Sequence, residues 1–583
     1  MARFTAFLLT LTAADVFGQK LPDTYFRLLE AGVGKIEARL AEFPEPSLAA
    51  IESTPGWRHF PYAILAPAVL YSKAHPANRR YRNAGDLQLA IRIGDLLAAE
   101  SEKGTFEPRL DSDWDTYMWL EALRLLGPAA GDERAARWRR EIEKNIAPYE
   151  EPARERLDFP WYNSPYIGTS PNHYALWAAN LYLGGRMFGK PAWVELGRRI
   201  LRRFALEEQT ADGYWGEHSR SGPTTGYNHL TLSALGVYYE HSQDREVLPA
   251  LRRATDFHRH YTFLDGTAVD VINDRNRYWG PSAWGHFAFT PFPEGRGFAA
   301  FLAGRFKPES LGVDQIGRLA QNAIYYHEGP AAPAPQQQAA YSHRMTIPAG
   351  IRKTGPWQVA MSGIVDTKAI NSRFYLDRQG AVSIFHERLG LIVTGANSKR
   401  QPEVASFSER LPGETVTIPL SSRLKMESGE DRLSVAFNTF FADLYFPVPS
   451  PEKVEMRVVI TGRGRPADDP RFNLQLCLRA GKDLETGGGR RENLGKDGLR
   501  LDGRSLGGVI RHNGWTLEFD QEASLTWPVY PHNPYTDSPE TDVAKAVGVL
   551  SVPLRLTPKP GRYVRPGDQS MRFVLSTGKA GWQ

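Results

Sequence analysis

The amino-acid sequence predicts a multidomain α-then-β protein, an incomplete (α/α) toroid followed by an antiparallel β-sandwich. Three observations support this prediction. Apolar residues recur at helical spacing from about residue 22 to residue 328, the predicted helices come in pairs at even intervals, and the apolar period changes to that of strands after a Pro/Ala/Gln-rich segment. The chain has 583 residues, of which 42% are hydrophobic and 23% charged, a composition typical of folded globular domains.

Residues 1–18 have the order of a secretory signal peptide. Arg3 precedes a short apolar stretch over residues 6–14. Val16 and Gly18 occupy the −3 and −1 positions of the predicted cleavage site, where signal peptidases require small side chains. The stretch is too short to span a bilayer, and since no apolar run of about 18 or more residues occurs in the sequence, we expect no membrane span. The prediction is therefore a periplasmic or secreted protein. The alternative is that these residues begin an amphipathic helix.

Residues 19–328 are predicted to form the helical toroid, which would be the catalytic domain. Pairs of helices start near residues 113, 171 and 227, at intervals of 58 and 56 residues, and a fourth pair is expected near 296. Helical hairpins that each expose an apolar face must stack on their neighbours to bury it, which produces a superhelix or a closed ring. Helix starts are predicted near Asp113, Asp132, Pro171, Pro191, Tyr227, Arg245 and Gly297.

A linker is predicted at residues 329–339 and an antiparallel β-sandwich at residues 340–583. The linker is rich in Pro, Ala and Gln, and the apolar pattern after it alternates in the manner of strands, without intervening helices. Many consecutive strands of this kind are typical of a sandwich. The strands are predicted at 358–365, 374–386, 389–394, 416–420, 433–446, 454–461, 472–478, 515–519 and 547–556.

Composition excludes several classes of site and partner. Cys477 is the single cysteine, so an internal disulfide, a cysteine-based zinc site and an iron–sulfur cluster are excluded. The net charge is only +5 and no long Lys/Arg run occurs, so we expect no nucleic-acid partner. A mildly basic surface is compatible with an acidic ligand, either small or polymeric. No cofactor or metal is expected.

Three loops between residues 161 and 284 carry most of the unusual side chains. Residues 161–174, 212–229 and 270–280 lie in loops or at helix starts, and such loops gather on one rim of a toroid. Aromatic rings suit the faces of sugar rings, while amides and guanidinium groups bind hydroxyls and carboxylates, although loop formation and core packing explain the same residue types. The predicted substrate-binding residues are Tyr166, His173, Trp215, Arg220, Asn228, His229, Arg277 and Trp279.

The same loops contain a motif of a known group of enzymes. Asp212-Gly213 is followed by His218, and Tyr227 comes nine residues after His218. This segment resembles the Asp-Gly…His…Tyr segment of chondroitin AC and hyaluronate lyases, and the upstream Trp-Tyr…Ile-Gly at 161–168 is similar to their aromatic segment. A toroid followed by a sandwich is also the layout of these lyases and of alginate and heparinase-type lyases. The resemblance implies a catalytic set of Asn172, His218, Tyr227 and Arg275, with Arg277 as the alternative arginine.

The chemistry of a lyase gives an independent reason for these residue types. Removing the C5 proton of a 4-linked uronate places negative charge beside its carboxylate, so the carboxylate must be neutralised, for which Asn172 is suited, with His218 or Arg220 as possible helpers. A base must take the C5 proton and an acid must protonate the departing O4. Tyr227 could do both if nearby cations lower its pKa from about 10, or His218 could be the base. The product has an unsaturated uronate end.

Two alternative functions fit the same fold. A glycoside hydrolase needs two carboxylates about 5–10 Å apart, and the sequence offers Asp113 or Asp115, Glu217 and Asp270. Asp113 is also a good N-cap candidate, which is a structural explanation for that residue. The other alternative is a glycan-binding protein without catalytic activity, which would use the aromatic groove alone.

Two further histidines are predicted to be solvated and to have no role in the site. His258 and His260 are surrounded in sequence by Arg252, Arg253 and Arg259. On a charged helix, histidines are usually solvated. We therefore expect both imidazoles to face solvent.

Overall fold

The computed structural model describes most of the chain. It covers residues 21–106, 113–157, 171–216, 222–273, 280–365, 381–395, 400–463, 468–533, 536–556 and 568–578. The predicted signal peptide lies outside the described residues. The same is true of Tyr166, Glu217, His218, Arg220, Arg275, Arg277 and Trp279.

The N-terminal half of the described chain is helical. It also contains short 3-10 turns, among them Phe60–Ile64 and Asp270–Ile272. The α-helices are α1 (Leu21–Ala41), α2 (Leu48–Glu52), α3 (Leu65–Ser72), α4 (Ala84–Glu102), α5 (Asp113–Leu126), α6 (Asp132–Ile146), α7 (Glu150–Leu157), α8 (Pro171–Phe188), α9 (Pro191–Arg203), α10 (Thr225–Ser242), α11 (Leu248–His260), α12 (His286–Phe289), α13 (Pro293–Ala303) and α14 (Val313–Tyr325).

These helices form a ring of two layers. Helices α3, α5, α8, α10, α12 and α14 contact one another in this order, and α14 contacts α3 again. Each inner helix has an outer partner, since α4 packs on α3, α6 on α5, α9 on α8, α11 on α10, α13 on α12 and α1 on α14. The ring is thinnest at α12, which has four residues. The predicted helical toroid is confirmed.

The two layers differ in how their side chains are buried. Nearly every side chain of the inner helix α5 is buried, so its sequence has little amphipathic pattern. The outer helix α6 buries one stripe that includes Trp138, Ile142 and Ile146. Helices α6, α8 and α9 start at the predicted Asp132, Pro171 and Pro191, because proline is suited to the first helical position and an acidic residue to the first turn.

The C-terminal half consists of antiparallel strands and one short helix, α15 (Gly503–Leu506). The strands are β1 (Ala340–Arg344), β2 (Ala349–Thr354), β3 (Trp357–Ser362), β4 (Ala381–His386), β5 (Gly390–Thr394), β6 (Phe407–Leu411), β7 (Glu414–Val416), β8 (Ser421–Met426), β9 (Glu430–Ala436), β10 (Phe440–Pro447), β11 (Lys453–Gly462), β12 (Asp468–Leu476), β13 (Asp483–Thr486), β14 (Arg491–Asn493), β15 (Leu499–Leu501), β16 (Val509–His512), β17 (Trp515–Phe519), β18 (Ser524–Val529), β19 (His532–Asn533), β20 (Ser538–Pro539), β21 (Val547–Pro553) and β22 (Gln569–Thr577).

Two large sheets pack face to face. One has the strand order β1-β2-β3-β4-β5-β12-β21-β18-β15, with β6 paired to β12 and β7 paired to β6. The other has the order β14-β13-β16-β17-β22-β11-β10-β9-β8. A single apolar core contains residues of both sheets, such as Trp357 and Phe472 from the first and Leu433 and Phe573 from the second. The antiparallel β-sandwich is therefore confirmed, as is its position after the helices.

Two predicted strands need correction. The segment 433–446 is not one strand but a hairpin of β9 and β10, with the loop 437–439 between them. The loop sequence Phe-Asn-Thr contains no Gly or Pro, so the sequence gives little sign of a turn. The segment 416–420 is mostly a connection, because β7 ends at Val416 and β8 begins at Ser421.

A buried carboxylate joins the helical domain to the first sheet. Asp270, in a 3-10 turn of the helical domain, is 1% exposed. Its carboxylate accepts hydrogen bonds from the hydroxyls of Ser383 in β4 and Thr394 in β5, and from the backbone N–H of Gly395 at 3.4 Å. Burial raises the pKa of Asp270, and these donors oppose that increase. The Asp270 carboxylate therefore stabilises the contact between the two halves of the chain. Because it is buried there, it is not a candidate catalytic carboxylate of a hydrolase.

Replacing Asp270 by Ala is expected to lower the free energy of unfolding by about 1–3 kcal/mol, because the Ser383 and Thr394 hydroxyls lose their acceptor in a buried place. Asp270→Asn should cost less, since the amide oxygen can still accept one of these bonds. The measurement is chemical denaturation followed by circular dichroism. Equal stability of Asp270→Ala and the unmodified protein would show that the interface does not depend on this carboxylate.

Candidate active site

The site is built first from the start of α8. Pro171 begins this helix, Asn172 follows and is buried, and His173 is next, with a side chain that is 30% exposed. The Nδ1 atom of His173 lies 3.0 Å from Oδ2 of Asp113, the first residue of the neighbouring helix α5. The side chain of Asp113 is fully buried. A buried carboxylate thus orients a partly exposed imidazole beside the predicted catalytic Asn172.

Asp113 is held in place by further hydrogen bonds. Its Oδ1 accepts from the backbone N–H of Trp114, and its backbone oxygen accepts from the Nδ2 of Asn180 at 2.9 Å. Burial raises the pKa of Asp113, the His173 interaction lowers it, and the charge of Asp115 raises it further. With Nδ1–H donating to the carboxylate, the Nε2 of His173 is the nitrogen that can accept a proton.

Tyr227 lies at the same end of the ring as His173. Both are the third residue of their helices, α10 and α8, which pack against each other. Near the other end, the rings of Tyr182 and Tyr238 lie 4.9 Å apart, and Arg186 donates to the backbone oxygen of His241. The later residue of α8 contacts the later residue of α10, so the two helices run parallel. Their first turns are therefore side by side. Tyr227 is half-buried.

An aromatic cluster connects the starts of α5 and α10. The rings of Trp114 and Trp284 lie 4.0 Å apart, and the backbone oxygen of Trp284 lies 3.1 Å from Nδ1 of His229 in α10. The Arg318 guanidinium of α14 lies 4.7 Å from the Trp284 ring centroid. Sequence reasoning did not assign Trp114, Trp284 or Arg318 to the site. The acid-Trp-acid order of residues 113–115 at a helix start is a local signal for Trp114 alone.

Asn228 and Trp215 were predicted to bind substrate, but the structure gives both side chains structural contacts. The Asn228 amide accepts from the backbone N–H of Trp215 at 2.6 Å and donates to its oxygen at 2.9 Å, so it clamps the preceding loop onto α10. Trp215 is 1% exposed and its indole N–H donates to the backbone oxygen of Phe204. A fully buried ring cannot present a face to a sugar.

The histidine predictions at 229 and 258 also need correction. His229 is buried against the Trp284 oxygen, and burial lowers its pKa to about 3, so it is a neutral packed side chain rather than a substrate contact. His258 does not face solvent but is fully buried, with its ring centroid 3.9 Å from that of His229. It shares the buried face of α11 with Leu251 and Ala254, since residues at these spacings lie on one side of a helix. The arginines around it in sequence occupy the opposite face.

His258→Leu is expected to make the protein more resistant to acid. Burial lowers the pKa of His258, so the folded state keeps the ring neutral while the unfolded chain protonates it below about pH 6.5. This contribution to stability is present above pH 6.5 and is lost as the pH falls. At about pH 4, the variant should therefore gain up to about 3 kcal/mol relative to the unmodified protein. Thermal unfolding between pH 4 and pH 8 measures the effect, and a pH-independent difference would contradict it.

Two observations concern the other predicted properties of the chain. In the described ranges, no set of three or more His, Cys, Asp and Glu side chains is arranged to hold a metal ion. None of the described helices combines the length and the apolar character needed to cross a membrane.

Comparison with known proteins gives matches in structure only. No protein-family model and no curated protein matches this sequence. The chondroitin AC lyase of Streptomyces coelicolor A3 in complex with chondroitin sulphate is 13% identical with a TM-score of 0.46, over 99% of this chain and 81% of that chain. A heparan sulfate lyase mutant from Pedobacter heparinus is 10% identical with a TM-score of 0.47, over 89% and 76%. A GH127 β-L-arabinofuranosidase from Geobacillus stearothermophilus T6 is 10% identical with a TM-score of 0.29, over 92% and 96%.

Proposed function

We propose that this chain is a polysaccharide lyase that cleaves a uronate-containing acidic glycan by β-elimination, and that residues 1–18 direct its export. The observation that carries the proposal is the His173–Asp113 pair beside Asn172, with Tyr227 in the matching turn of the parallel neighbouring helix. A base, an acid and a carboxamide at one end of the ring are the groups that this reaction needs.

The substrate carboxylate is the first group that must be bound. We assign this role to the Asn172 carboxamide, which can donate hydrogen bonds to a carboxylate; because this side chain is only 1% exposed, the assignment requires that substrate binding uncovers it. Asn172 lies in the first turn of α8, where the helix dipole also favours an anion. Hydrogen bonding of the carboxylate stabilises the negative charge that develops when the C5 proton leaves.

Proton transfer is assigned to two side chains. His173 takes the C5 proton on Nε2, and the Asp113 carboxylate stabilises the imidazolium that forms. The electron pair of the C5–H bond becomes the C4=C5 double bond, the C4–O bond breaks, and the departing oxygen receives the Tyr227 hydroxyl proton. His173 thus takes the base role that the sequence leaves open between Tyr227 and His218. His218 and Arg275, with Arg277 as its alternative, lie outside the described residues and remain catalytic predictions.

The test is a screen of the purified protein against hyaluronan, chondroitin, alginate, glucuronan, ulvan and heparin, with a neutral glucan as control. Elimination produces a double bond conjugated to the carboxylate, so we expect ultraviolet absorbance to increase with at least one acidic polymer. New reducing ends without absorbance would identify a hydrolase instead. Binding without any new chain ends would identify a glycan-binding protein.

A further inference from the structure

His59 is a second imidazole near the proposed catalytic residues. It precedes the 3-10 turn Phe60–Ile64, and its Nδ1 lies 3.5 Å from Oδ1 of Asp115 in the first turn of α5. The His59 side chain is 38% exposed and that of Asp115 is 11% exposed. In both pairs a buried carboxylate of α5 lies beside a more exposed imidazole, although the His59 pair is at an ion-pair distance of 3.5 Å and the His173 pair is a hydrogen bond of 3.0 Å.

Contacts on two sides connect His59 to the starts of α5 and α10. Through Asp115 it is two residues from Asp113, which holds His173. On the other side, its ring centroid is 5.7 Å from that of Tyr62, and the Tyr62 ring is 5.9 Å from that of Trp284. The Trp284 backbone in turn contacts α10, the helix that carries Tyr227.

The backbone of His59 is in a costly conformation. Its φ of 66° and ψ of 42° lie in the left-handed region, which is uncommon for any residue with a Cβ atom, although histidine adopts it more often than most. Strained residues of this kind are retained where the surrounding structure or a function requires the side chain. The backbone conformation is therefore consistent with a functional role for the imidazole.

We propose that His59 binds an anionic group, a carboxylate or a sulfate, on the sugar next to the one that reacts, and that Asp115 is its positioning residue. The assignment of the ligand as an acidic glycan rests on the proposed function. An imidazolium offers a charge-assisted N–H donor to such a group. Because His59 and His173 flank the start of α5, each would meet a different sugar of the chain.

Binding through His59 would depend on pH. The Asp115 interaction raises the pKa of His59, burial opposes that increase, and the charges of Arg58 and Arg318 also lower the pKa. Burial and the charge of Asp115 raise the pKa of Glu52. When Glu52 is ionised, its negative charge favours the protonated form of His59. The imidazole is therefore cationic at mildly acidic pH and neutral at alkaline pH, so affinity for an anion should fall as the pH rises.

The test compares His59→Asn with His327→Asn. His327 is a matched control, because its side chain is 35% exposed and it pairs with Glu240 at 2.7 Å away from the start of α5. Binding of hyaluronan and heparin hexasaccharides is measured by calorimetry at about pH 5.5 and about pH 8.5, on either side of the ordinary imidazole pKa. We expect His59→Asn to weaken binding of at least one of them about 5- to 20-fold at the lower pH and less than about 2-fold at the higher pH.

Stability and kinetics separate this role from a structural one. Asparagine tolerates the left-handed conformation, so the Tm of His59→Asn should be unchanged or higher. With any polymer that is cleaved, KM should rise while kcat is kept. Equal binding by both variants, a loss that is the same at both pH values, a decrease in kcat alone, or no binding of either oligosaccharide would overturn the proposal. If no polymer is cleaved but the pH-dependent loss is observed, this inference stands and the proposed lyase activity fails.

Discussion

Tyr227→Phe is expected to reduce turnover of the uronate polymer by about 10²–10⁴-fold, the usual contribution of a general acid. The substitution removes only the hydroxyl that we assign to protonation of the departing oxygen. The half-buried ring packs against the helical core, and phenylalanine preserves that packing. The Tm should therefore remain within about 2 °C of that of the unmodified protein.

The control for this prediction lies in the same helix. Tyr239 is also half-buried against the core, but it lies near the C-terminal end of α10, far from the first turn. Tyr239→Phe should leave kcat and KM unchanged. If Tyr227→Phe keeps more than about a tenth of the turnover, Tyr227 is not the acid, and the assignment of proton transfer must be revised.

Asp113→Asn is expected to have the next largest effect, a decrease in kcat of about 10²–10⁴-fold with little change in KM. The amide oxygen can still accept the hydrogen bond of His173 Nδ1, but the negative charge that stabilises the imidazolium is lost. The decrease should therefore appear in the chemical step rather than in substrate binding.

The pH profile gives a second measurement of the same substitution. A neighbouring carboxylate favours the protonated imidazole, so removing its charge lowers the pKa of His173. A base must be neutral to act, and the acidic limb of the kcat profile should consequently move to lower pH in Asp113→Asn. An unchanged limb together with normal kcat would mean that the His173–Asp113 pair only stabilises the fold.

Much of the fold follows from local sequence signals, and the exceptions have physical reasons. The starts of α6, α8 and α9 are predicted because Asp132, Pro171 and Pro191 are chemically suited to first turns. The β9–β10 hairpin is missed because its loop has neither Gly nor Pro, and a single Asn438 is a weak turn signal between two apolar segments. His258 is misassigned because its neighbours in sequence are charged, whereas its neighbours on the helix face are apolar.

The candidate site is less accessible to sequence reasoning than the fold. Asn172, His173 and Tyr227 lie in first helical turns that follow loops of unusual composition, so the sequence points to them as candidates, and their roles remain predictions. Asn228 and Trp215 come from the same kind of loop, but the Asn228 amide bonds the backbone N–H and oxygen of Trp215. Only the packing reveals these bonds. His59 and Arg318 come from distant segments without local motifs, and only the closed ring of helices brings them to the start of α5.

Asp270 lies between Val269 and Val271, which belong to an apolar cluster that both halves of the chain share. It includes Phe263 and Ile272 from the helical half, and Ile351 and Phe385 from the first sheet, with the Phe263 and Phe385 rings stacked at 4.8 Å. Separating the halves by cleavage between residues 329 and 339 would expose this cluster on both fragments, which would then tend to aggregate. Because a shared apolar interface couples two domains, we expect the helical and β halves to unfold together rather than in two separate thermal transitions.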